Sequence, residues 1–134
     1  MEEALPEVND THMGDDEVDW HKIPIYTSIQ LIECEWQWRD QGWGNRKGCV
    51  VLHLLRNNES IVSERIGGIV EHNWENIKET IQWNNSNVLQ ESQCNDELAF
   101  KYIVGGGGGH RISIKNASVC LYATPTKSAR SVIR

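Results

Sequence analysis

The sequence predicts an all-β fold, an antiparallel β-sandwich, and three observations predict it. Apolar and polar residues alternate with period two through most of the chain, short Gly- and Asn-rich clusters separate the runs, and no segment carries an unambiguous long helical pattern. The 134 residues suit one domain with a real core.

The elements follow in order. Residues 1–19 hold eight acids and neither Lys nor Arg, a composition too polar to bury a core, so they are expected to form a disordered acidic leader. The sandwich is expected over residues 20–123. In "IPIYTSIQLIECEWQW", Ile32, Cys34, Trp36 and Trp38 share one face and Glu33, Glu35 and Gln37 the other, which predicts a strand with one wet side. After the polar loop "RDQGWGNRKG", the run "CVVLHLLR" is apolar on both faces and belongs between other layers. The Asn pair in "RNNES" turns the chain into "IVSERIGG", so residues 49–66 read as a β-hairpin. "EHNWENIKETIQWNN" fits helix and strand alike, and the strands around it favour β. "ELAFKYIV" places Leu98, Phe100, Tyr102 and Val104 inside, and "RISIKNASVCLYA" alternates again. Residues 124–134, with Lys127, Arg130 and Arg134 and no acid, form a basic tail.

Charge restricts the partners. The net charge of −6 resides in the leader, and without leader and tail the body is near neutral. Duplex nucleic acid and anionic membranes need clustered Lys and Arg, so neither is expected as a partner. No apolar run approaches a bilayer span, and the acidic start is unlike a signal peptide, so a cytoplasmic location is expected. Cys34, Cys49, Cys94 and Cys120 then read as free thiols, mostly buried, because none of their spacings is that of a zinc site.

Five consecutive glycines, Gly105 to Gly109, pose the question of a phosphate cradle. A P-loop requires Gly-Lys-Ser/Thr opening a helix; here His110 follows, no Lys-Ser/Thr pair comes after it, and the next segment is strand-like. A dinucleotide fingerprint fails for want of the last glycine and the helix, so no nucleotide cofactor is expected. The glycines read as a flexible hairpin tip, or as a bare patch against which a ligand lies, with His110 and Arg111 at its rim.

Of the six tryptophans, Trp36 and Trp38 fall on the buried face, whereas Trp43 lies between Gly42 and Gly44 in a loop that gives no reason to bury it. An indole beside planar polar groups suits sugars: the ring stacks on the apolar face of a pyranose while amide, carboxylate and guanidinium groups take its hydroxyls. The candidate ligand-binding residues are Arg39, Asp40, Gln41, Trp43, Asn45 and Lys47, with His110 and Arg111 on the far side. Trp43 would stack, and Asp40, Gln41 and Asn45 would bond hydroxyls. The alternative uses the same loop as a hot spot for a protein partner or for self-association into a homodimer.

Catalysis is not expected. The five histidines are scattered, a Cys–His dyad would need a sheet cysteine to be reactive, and Glu33 with Glu35, about 7 Å apart by strand rise, read as a solvated face before a glycosidase pair. No metal-binding motif is present, although loop carbonyls able to hold calcium leave no mark in a sequence.

The order of a Trp-bearing turn, a hairpin, W-x-x-I-x-x-x-I at Trp74, Ile77 and Ile81, a strand, a Gly-rich turn and "RISIKNASVCL" resembles the F-box-associated, phloem-lectin-like group of galactose-binding-type jelly rolls. "RDQGWGNRKG" joined to "YIVGGGGGHRI" is also similar to an uncharacterised eukaryotic module. The likeness covers residues 24–123. It implies a jelly roll of the galactose-binding-domain-like kind and a non-enzymatic, lectin-like domain holding a glycan in loops at one end, here Arg39 to Lys47. The acidic leader is no F-box segment and the five-glycine turn is longer than that group's pattern, so a ubiquitin-ligase role is not expected.

Overall fold

The computed structural model describes residues 2–11, 14–106 and 109–123, and over these two antiparallel sheets face each other as a β-sandwich. The strands are β1 (Glu2–Ala4), β2 (Val8–Asp10), β3 (Val18–Pro24), β4 (Ile29–Arg39), β5 (Cys49–Arg56), β6 (Glu59–Ile66), β7 (Glu75–Gln82), β8 (Glu97–Ile103) and β9 (Ile112–Ala123). One sheet runs β1–β9–β4–β7 with β2 also on β9; the other runs β3–β8–β5–β6.

Alternation places the core as the sequence predicts. Ile32, Cys34, Trp36 and Trp38 of β4 are buried, as are Leu98, Phe100 and Tyr102 of β8 and Ile112 and Ile114 of β9. An aromatic cluster joins the sheets: Trp20 of β3 meets Trp36, Phe100 and Tyr102 edge-on, each at 6.5 Å, and Trp36 meets Trp38 at 5.5 Å. Edge-to-face pairs of this kind are worth about 1 kcal/mol each beyond their burial.

Local chemistry shapes the connections. Asn57 and Asn58 both adopt left-handed φ, 54° and 65°, which lets two residues close the β5–β6 hairpin with the twist of its strands. The ambiguous stretch around Ile77 divides: Glu75–Gln82 is strand β7, and a 3-10 turn, Trp83–Asn85, leads into the short helix α1, Asn87–Glu91. Ser86 caps that helix by accepting from the Leu89 amide at 3.1 Å. Arg56 at the end of β5 makes a two-pronged pair with buried Asp96, at 2.9 Å on both oxygens, and its guanidinium holds the Asp96 carboxyl below the usual range.

Two expectations need correction. The leader is not disordered over its described residues: β1 pairs with Ser118–Cys120 and β2 with Ile112–Ile114, both on β9. Leu5 and Val8 are buried, and the Pro6 carbonyl accepts from the Trp20 indole at 2.8 Å. Mean composition misses this because two apolar side chains suffice once an unpaired strand edge offers backbone partners. The glycine segment is likewise no hairpin tip, since β8 and β9 belong to different sheets and the chain crosses between them there. Gly107, Gly108 and the basic tail, 124–134, lie outside the described residues.

Candidate functional site: a loop end and an open sheet face

The loop after β4 and the glycine crossover meet at one end of the sandwich, as the sequence reading required. The meeting uses up much of what that reading offered to a ligand. Asp40 is buried, accepting from the Gly42 amide at 2.8 Å and from His72 Nδ1 at 2.9 Å. It is the anchor of the turn and does not face a ligand. Gln41 spans the loop: its amide nitrogen donates to the Trp43 carbonyl, and its amide oxygen accepts from the Arg111 backbone at 3.1 Å. Asp40 is thus corrected from a ligand contact to a loop support, and Gln41, half-buried, braces the same loop.

The glycines serve the chain's own side chains. A β-carbon on Gly109, at φ 82°, would lie 2.8 Å from the Trp43 ring, and one on Gly105 would lie 2.6 Å from the Lys47 side chain. Lys47 Nζ donates to the Gly106 carbonyl at 3.2 Å, and the Gly106 amide donates to Asp15 at 2.8 Å. Only glycine permits these approaches. The bare patch exists, and Trp43 and Lys47 already lie on it.

Trp43 is 56% exposed yet held, with its ring on Gly109 and its centroid 6.3 Å from the His110 ring. Among the described residues neither ring nitrogen of His110 has a partner or is open to solvent, so His110 backs Trp43. Asn45 and Arg111 are exposed at the rim. Arg39 points to the other surface, its guanidinium 5.2 Å from the centre of the Trp74 ring.

That other surface is the outer face of β7, β4 and β9, and the sequence reading assigned it no role beyond solvation. Register sets Asn76 and Lys115 beside Gln37, Lys78 and Ser118 beside Glu35, and Thr80 and Cys120 beside Glu33. Gln37 accepts from Asn116 at 2.7 Å and donates to Asn76 at 2.7 Å, an amide ladder across three strands. Two cavities, of about 220 and 390 Å³, share Glu35 and Lys78 in their walls and open along this face. The signal was the unbroken polar alternation of Glu33, Glu35 and Gln37; pairing with strands 40 and 80 residues away was not local information.

Catalytic and metal chemistry finds little support here. Glu33 and Glu35 are exposed on this face, with Lys78 Nζ 3.9 Å from Glu35. His53 is hydrogen-bonded to Ser60 at 2.7 Å and to Glu17, and it lines none of the cavities named here. Cys34 and Cys49 are buried, and burial pushes the Cys34 thiol up to about 12 and raises that of Cys49. Cys94 is exposed and Cys120 half-buried, which corrects the expectation of mostly buried thiols. Among the described residues no three His, Cys, Asp or Glu side chains are grouped to hold a metal ion, and no helix is long and apolar enough to cross a membrane.

No family model and no curated protein sequence matches the chain. A solved structure described as "CBM4 structure and function", a carbohydrate-binding module, is similar in fold, with a TM-score of 0.54 over 87% of this chain and 71% of that one. At 9% identity the likeness is one of fold, a β-sandwich, and it agrees with the architecture above.

Proposed function

We propose that the chain is a non-catalytic carbohydrate-binding module in which Trp43 stacks on a sugar ring at the loop end of the sandwich. The observation that carries this reading is an indole that is 56% exposed yet fixed from below by Gly109 and His110. A stacking platform held before the ligand arrives saves the ordering cost that a mobile side chain incurs on binding. Asn45, Lys47 and Arg111, exposed in the same loop and beside the crossover, offer polar groups for hydroxyls. The fold likeness to a carbohydrate-binding module supports the same reading.

A glycan array probed with the wild-type protein and a Trp43→Ala variant of unchanged melting temperature tests it. Binding to a defined sugar class that disappears in the variant is the expected result. Silence from the folded wild-type protein would overturn the reading and turn the search to protein partners of the same loop.

A further inference from the structure

We infer that the outer face of β7, β4 and β9 is a second binding surface, a trough for an extended, uncharged glycan chain; this rests on the carbohydrate-binding reading. The two cavities on this face adjoin at Glu35 and Lys78, which stand in the walls of both, and together they make up the trough. It runs along β4 from the level of Gln37 to that of Leu31, where Tyr122 pairs, a length of roughly 20 Å from the rise of six extended residues. A single terminal sugar does not need that length. A chain of several sugars does.

The polar groups match hydroxyls. In the amide ladder Gln37 uses one N–H on Asn76 and one lone pair on Asn116. Each amide keeps both a donor and an acceptor for a ligand, and a sugar hydroxyl, itself donor and acceptor, satisfies such a pair. Mutual hydrogen bonding also fixes the amides in place before a ligand arrives. At the Gln37 end stands Trp74, 42% exposed and oriented by Arg39 at 5.2 Å and Lys115 at 4.1 Å from its ring centre.

Charge selects the class. Glu2, Glu33, Glu35 and Glu79 line the larger cavity with one cation, Lys78, while Arg39 and Lys115 stand at the Trp74 end, engaged by its ring. Carboxylates accept from hydroxyls and repel uronates and sulfates, so the fitting polymer is neutral. A protein strand is a poor occupant, because the trough lies over β4 and β9, whose backbones are paired on both sides, and presents side chains only.

The test is affinity electrophoresis through gels containing soluble β-glucan, xylan or mannan, with polygalacturonate and heparin as polyanions. The proteins compared are wild type, Trp43→Ala, Gln37→Ala/Asn76→Ala, and Thr80→Gln, which fills the trough without touching the ladder. At least one neutral polymer is expected to retard wild type and Trp43→Ala alike. Both trough variants should bind it at least tenfold more weakly at unchanged melting temperature, and polyanions should not retard any of the proteins. Thr80→Gln decides the matter should the ladder variant fail to fold. Polymer binding that vanishes in Trp43→Ala but survives in the trough variants would overturn the trough and leave the Trp43 site standing, as would preference for a polyanion. A wild type that binds no glycan in gel or array would overturn the carbohydrate reading, and the trough with it.

Discussion

The loop end and the sheet face of this domain are built from the same materials, indole, amide and carboxylate, and use them in opposite ways. At the loop end the polar side chains turn inward: Asp40 bonds Gly42 and His72, and Gln41 ties Trp43 to Arg111. What remains outside is one aromatic surface with Asn45 and Arg111 at its rim. On the sheet face the side chains bond sideways, Asn116 to Gln37 to Asn76, and keep further capacity toward solvent. A loop has no backbone ladder and must spend side chains to hold its shape, whereas a strand has its backbone satisfied and can leave its outer side chains free.

The contrast is sharpest in stability. Removing the anchor with Asp40→Ala leaves the Gly42 amide and His72 without their acceptor, at a cost of about 1–3 kcal/mol. Thermal unfolding should show a drop of several degrees, while Gln37→Ala, whose two hydrogen bonds lie on an exposed face where water can replace them, should stay within about 0.5 kcal/mol of wild type. Equal losses for the two would break the comparison. Next in size is Gly109→Ala, which forces a side chain into left-handed backbone and against Trp43, and should cost about 1–2 kcal/mol. The sharper readout is position: Trp43 should become more accessible to acrylamide quenching in that variant, and no such change should follow Thr80→Gln.

A smaller effect separates both regions from the frame they share. The Asp96 carboxyl is held below its usual range by Arg56, so the pair's contribution is complete above about pH 4, the ordinary carboxylate value, and is lost as pH falls through the lower folded value. An Asp96→Asn variant should therefore approach the wild type in stability as the pH is lowered, and a gap independent of pH would remove the ion pair from the account. Smallest is a kinetic effect on thiols. Cys120 lines the trough and Cys34 lies beneath it with a thiol raised by burial, so at pH 8 a maleimide should label Cys94 and Cys120 and spare Cys34 and Cys49 until unfolding. A polymer seated in the trough should slow labelling of Cys120 severalfold and leave Cys94 unchanged. Equal slowing of both would place the polymer elsewhere.

Much of the frame was legible because burial writes a short period into the chain. Period two along Ile32 to Trp38 and along Leu98 to Val104 specified strands and which face is inside, and the Asn pair at 57–58 specified a tight turn, since each depends only on neighbouring residues. The flanking glycines gave no reason to bury Trp43, but its exposure came only with the folded loop. The leader was misread because its stability comes from β9, over 100 residues later, and no local average of charge contains that edge. Asp40 lies in the expected loop but turns inward, for a polar residue looks the same in a sequence whether its partner is a ligand or its own chain.

By itself, then, the sequence determined an antiparallel sandwich, most of its inward faces, and a Trp-bearing polar loop after the first long strand. Tertiary structure alone decided that the glycines lie under Trp43 and Lys47, and that amides at 37, 76 and 116 form one ladder. The physical reason is range: side-chain alternation is set over two residues, while strand pairing and side-chain partnership are set by which distant segments bury their surfaces together.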